Sequence, residues 1–95
     1  MSHLGHRIRA LREQQNLLLR HIAAGLEVDT ALMSKIERGE RKASRQQVIE
    51  IAKFLKTSEI ELLTLWVADK IETTLVGEPG VAYQAMKIAH KKLKK

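Results

Sequence analysis

The chain contains no cysteine, which excludes disulfides, thiolate metal sites, cysteine nucleophiles and thiol redox chemistry. Aromatic residues are nearly as scarce: Phe54, Trp66 and Tyr83 are the complete set, so no platform of stacked rings exists for RNA or single-stranded nucleic acid. No apolar run approaches the roughly 18 residues of a membrane span, and the N-terminus lacks the apolar stretch of a signal peptide. The expectation is a soluble, cytoplasmic protein with no membrane partner. No Ser, His and acid constellation, phosphate-cradling glycine loop or paired catalytic carboxylates can be picked out, so no enzyme is expected. His3 and His6 share a helix face, but two imidazoles without a carboxylate or cysteine make a poor metal set. No metal, cofactor or small-molecule ligand is expected, and His21 and His90 have no evident partner.

What is present suits one compact domain. The 95 residues are too few for two units of typical size, and a hydrophobic share of 44% is enough to bury a core. The net charge of +6 is unevenly spread. Residues 1–45 carry nine Lys or Arg against five acids, residues 46–80 carry three against six, and residues 81–95 carry five Lys and no acid. The basic N-terminal half has the footprint of a polyanion-binding surface. The lysine tail, Lys87, Lys91, Lys92, Lys94 and Lys95, either touches the same polyanion or extends into solvent.

Strand signals are weak and helical periodicity dominates, so the fold class is all-α. Leu4, Ile8 and Leu11 mark a first helix over about His3 to Gln15, with Asn16 as its stop. A second runs from Leu19 to Leu26, with Ile22, Ala23 and Leu26 inward. Asp29 can cap a third over Thr30 to Arg38, with Met33 and Ile36 inward and Gly39 as a left-handed stop. Ser44 with Gln47 reads as a capping box before a fourth helix whose stripe is Val48, Ile51, Ala52 and Leu55. Ser58 with Glu61 repeats the device before a fifth, about Glu59 to Leu75. That fifth helix has Ile60, Leu63, Val67 and Ile71 on one face and Leu62, Leu65 and Trp66 on others, more apolar surface than one partner requires. The stretch Gly77-Glu78-Pro79-Gly80 breaks the chain before a sixth amphipathic helix from Val81 to Leu93. Residues 1–76 thus form one unit, and residues 77–95 a helical extension for dimerisation or core cover.

The stretch from Ile22-Ala23 through Val28 to Ser34-Lys35-Ile36-Glu37-Arg38-Gly39 resembles the helix-turn-helix of the lambda-repressor-like family, often called the XRE family. With Arg7-Ile8-Arg9-Ala10-Leu11-Arg12 upstream and Val48 to Leu55 downstream, the resemblance covers about residues 4 to 62. It implies a five-helix DNA-binding domain, here with a sixth helix appended, in which the third helix enters the major groove of duplex DNA. Thr30, Ala31, Leu32 and Lys35 then face base edges. Arg20, Ser34, Arg38, Arg41, Lys42 and Arg45 are implied to contact phosphates, which position the protein without reading sequence. Arg12 and Glu37 are implied to form an ion pair joining the first and third helices.

Two positions depart from the family pattern. Leu18-Leu19 replaces a common Thr-Gln pair, which removes a phosphate contact at position 19. Glu27 stands where glycine is usual, so either a non-glycine residue tolerates positive φ at a cost of about 1 kcal/mol or the turn differs.

Symmetric readers present two recognition helices about 34 Å apart. A homodimer is therefore expected, with Leu62, Leu65, Trp66 and Val67 joined by Val81, Ala85 and Ile88 at a two-fold interface. In the competing arrangement the sixth helix covers the fifth within one monomer. The functional expectation is a transcriptional regulator, a repressor or controller, that binds a palindromic operator; the layout is similar to controllers of restriction-modification systems. An alternative is an antitoxin-type module whose extension binds a protein partner while the DNA-binding half autoregulates. A third reading, a nonspecific nucleic-acid packager, predicts a steep salt dependence on every sequence.

Overall fold

Four of the helices start where a short polar side chain satisfies a free amide. In the computed structural model, which describes residues 1–94 and leaves Lys95 of the lysine tail outside the description, the Ser2 hydroxyl accepts from the Gly5 amide at 2.9 Å and opens α1 (His3–Gln14). Asp29 accepts from the Leu32 amide at 2.7 Å at the head of α3 (Thr30–Arg38). Ser44 and Gln47 exchange both bonds of a capping box before α4 (Arg45–Phe54). At α5 (Glu59–Val76) the expected second box is only half formed: Ser58 accepts from the Glu61 amide, but the Glu61 carboxylate turns away to Arg7 of α1 at 2.5 Å. Between these lie α2 (Leu19–Leu26) and, after the Gly77–Gly80 break, α6 (Ala82–Leu93). The described residues contain six helices and no strand.

The helices end as locally as they begin. Asn16 and Gly39 adopt left-handed conformations with φ of 56° and 77°, closing α1 and α3 as their residue types suggest. Lys56 does the same after α4 at 55°, without any residue-type signal for it.

One core unites α1 to α4 with the start of α5. Ile8, Ile22, Met33, Val48, Ile51, Leu55 and Leu62 are almost fully enclosed, each contributing about 1.5–3 kcal/mol of burial. The tightest approach is between α1 and α3. A Cβ on Gly5 would lie 2.0 Å from the Glu37 carbonyl oxygen, so only glycine lets these backbones meet. Beside that crossing, Arg12 grips Glu37 with two bonds of 2.9 Å and donates a third, at 3.0 Å, to the Leu17 carbonyl. The pair is largely buried, and the hydrogen bond to Glu37 raises the Arg12 pKa further above its ordinary range. The helix-joining role that the resemblance implies for these two residues is what their geometry shows.

The fifth helix corrects an expectation. Leu62, assigned to a dimer interface, is fully buried in the monomer's own core, and its side chain is closed to any partner. Leu65 and Trp66 are half-buried and pack against the same core. Both lean inward because Leu62, Leu65, Trp66 and Asp69 share the side of α5 nearer α1 and the α3–α4 loop. The outward side instead carries Ile60, Val67 and Ile71.

The sixth helix does not serve as core cover. None of its residues is buried, and Val81, Ala85 and Ile88 are all exposed.

Candidate nucleic-acid interface

The angle between α2 and α3 is set by a turn closed on its own backbone. The Glu27 amide donates to the Ala24 carbonyl at 3.2 Å and the Val28 amide to the Ala23 carbonyl at 2.9 Å. Between them Glu27 takes φ 59° and ψ 40°, so the left-handed turn is kept despite the missing glycine. The start of α2 is likewise adapted. Leu18 offers no capping oxygen, and the His21 ring accepts at Nδ1 from the Leu18 amide at 2.9 Å. His21 therefore has a structural partner that its sequence context did not reveal. Leu19, where the family often has glutamine, is half-buried against the core.

With Met33, Ile36 and Glu37 buried, α3 presents its opposite side to solvent. Ala31, Lys35 and Arg38 follow one another at helical spacing along that side and are exposed, as is Thr30 at the first turn. Ser34 is half-buried. Leu32 is half-buried as well and packs against the core, which leaves less of its side chain outward than its assignment to base edges supposes. Arg20, Arg41, Lys42 and Arg45 are exposed around the helix. Among the described residues, Arg38 pairs with Glu40 at 3.3 Å, whereas Arg20, Lys35, Arg41, Lys42 and Arg45 form no ion pair. Five cations without protein counter-charges around one exposed short helix form a surface suited to a polyanion.

The loop that carries Arg41 and Lys42 is tied down from behind. Ala43 is buried, and its carbonyl accepts from the Trp66 indole Nε1 at 2.9 Å. The ammonium of Lys70 lies 3.4 Å from the centre of the same ring system. One turn further along α5, the Asp69 carboxylate accepts from the free amides of His3 and Leu4 at 2.9 and 3.1 Å, and Glu72 pairs with the His3 ring. That pairing raises the His3 pKa above its ordinary value of 6.5, mainly through the hydrogen bond and then through the charge of Glu72. Sequence reading missed Trp66 and Asp69 as positioning residues, because their partners lie 23 or more positions away.

A five-helix core with a capped, outward-facing third helix and a cationic rim is the arrangement of a helix-turn-helix DNA-binding protein. The family model described as a helix-turn-helix domain matches residues 3–65, about two thirds of the sequence. The chain belongs to that family, in agreement with its lambda-repressor-like pattern. Searches of curated proteins and of solved structures gave no significant match. No helix among the described residues is long and apolar enough to cross a membrane.

Proposed function

We propose that the protein is a cytoplasmic transcriptional regulator that binds a palindromic or near-palindromic operator as a homodimer and represses the adjacent promoter. The observation that carries the reading is the outward side of α3, where Thr30, Ala31 and Lys35 are exposed between cations that lack protein partners. Thr30 can exchange a hydrogen bond with a base edge, Ala31 can meet a thymine methyl, and Lys35 can donate to guanine acceptors. Leu32 adds an apolar contact with what remains exposed of its side chain. Arg20, Ser34, Arg38, Arg41, Lys42 and Arg45 hold the flanking phosphates, with Arg38 exchanging its partner Glu40 for the backbone.

Dimerisation is supported by the apolar side chains that α5, α6 and the residue before α6 leave in solvent, Val67, Ile88 and Val81 among them. A two-fold pair of recognition helices matches a two-fold site, because symmetry in the protein is repeated in the DNA it reads.

Selection of sites from a random duplex library at physiological salt tests the whole reading. A two-fold consensus is expected; absence of enrichment overturns it in favour of packaging or an antitoxin-type partner. On the selected site, Lys35→Ala should lose about 1–3 kcal/mol relative to random DNA, whereas Arg41→Ala should weaken both about equally.

A further inference from the structure

We propose that α6 crosses to a second copy of the chain and packs along the outer stripe of that copy's α5, so that two chains exchange their C-terminal helices. This rests on the homodimer reading and specifies how the dimer is built. Ile60, Thr64, Val67 and Ile71 recur along one side of α5 and, with Leu63 and Ala68, line a shallow apolar furrow formed by that helix alone. Ile60 is 76% exposed. On α6, the spacing of Ala82, Ala85, Met86, Ala89 and Leu93 places an apolar stripe on one side. A helix of 12 residues is marginal in water on its own, so α6 needs a surface to lie on.

Length, charge and area all favour the partner's α5 as that surface. The furrow from Ile60 to Ile71 is about 16 Å long and α6 about 18 Å, at 1.5 Å per residue. The segment of residues 46–80, which includes α5, carries a net −3 and that of residues 81–95 a net +5. Laid antiparallel, α6 brings Lys91 and Lys92 beside Glu59 at the head of the furrow, with opposed helix dipoles. Its three alanines allow close approach. Pairing two α5 stripes directly would leave both α6 helices and their lysines without a counterpart. Within its own chain, α6 touches α5 across a connection short enough for an antiparallel hairpin, yet it buries none of its residues there. Exchange reproduces that hairpin contact between copies. At roughly 100 Å² for each large apolar side chain, two reciprocal contacts remove on the order of 1,000 Å² from water, the scale at which specific interfaces begin.

The absence of native cysteine makes the test clean. In the full chain, Ala68→Cys combined with Ala85→Cys places two thiols at facing positions of the antiparallel pairing. Mild oxidation should give a covalent dimer on a non-reducing gel, and chains carrying one substitution each should cross-link when mixed. An internal disulfide in a monomer, or no cross-link, overturns the exchange. Sedimentation of the exposed-site variant Met86→Glu should show a dimer weakened at least about tenfold. A variant dimer as tight as that of the wild type overturns the exchange while leaving the homodimer reading standing. A wild-type chain that stays monomeric up to millimolar concentration overturns both, leaving the furrow to a different protein.

Discussion

From α1 to the start of α5 the inward apolar side chains are sealed, the Arg12–Glu37 pair is enclosed, and a glycine lets two helices touch. From Leu63 onward no described residue is buried; Leu63, Leu65 and Trp66 lean on the core, and the remaining ties are polar: Trp66 to Ala43, Asp69 to the head of α1, Glu72 to His3. The first region satisfies itself within one chain. The second leaves Val67, Ile71, Val81 and Ile88 exposed, which is the condition of a surface that associates. Helix α5 belongs to both, core on one side and unpartnered on the other.

The largest effect expected within this comparison is that of Glu37→Ala. It leaves the Arg12 guanidinium largely buried without its carboxylate and should cost about 3–5 kcal/mol, read as a lower urea midpoint with unchanged slope. Next, paired truncations contrast the regions directly. Leu62→Ala should cost about 2–5 kcal/mol by opening a cavity, whereas Ile88→Ala in dilute monomer should stay within about 0.5 kcal/mol. Equal losses would erase the distinction.

Trp66→Phe probes a tie between the regions. It keeps an aromatic ring but removes the donor to the Ala43 carbonyl, and it should cost about 1 kcal/mol. DNA affinity should fall by a similar factor on all sequences, since the loop bearing Arg41 and Lys42 loses its anchor; titration of specific and random duplexes measures this. The smallest effect is the pH response of His3. Because its pKa is raised above 6.5 in the folded chain, the stabilisation is fully present below 6.5 and fades as pH rises through the folded value. Glu72→Gln should flatten that dependence, visible in the ring resonances of His3 and in denaturation midpoints on either side of the titration.

Helix limits were legible because caps are short-range. Asp29, Ser44, Asn16 and Gly39 act on amides or angles within a few residues, and α2 and α3 fall on their expected ends. The ends of α1 and α5 differ from expectation by one residue, at Gln14 and Val76. Exposure of Thr30, Ala31 and Lys35 also followed from the spacing of Met33 and Ile36. The orientation of α5 was not legible. Ile60, Leu63, Val67 and Ile71 are as apolar as Leu62, Leu65 and Trp66, and periodicity states that a helix has two greasy sides without saying which one meets the core. What decides is long-range: the Trp66 bond to Ala43 and the Asp69 bonds to α1. Glu61 likewise had two partners open to it, the Ser58 amide nearby and Arg7 on another helix, and the ion pair won.

Trp66 is the one tryptophan of the sequence, held between the Ala43 carbonyl and the Lys70 ammonium. Its fluorescence is therefore a built-in optical gauge of the α3–α4 loop: a spectral shift on adding duplex would register a change at that joint, with no dye attached to the chain.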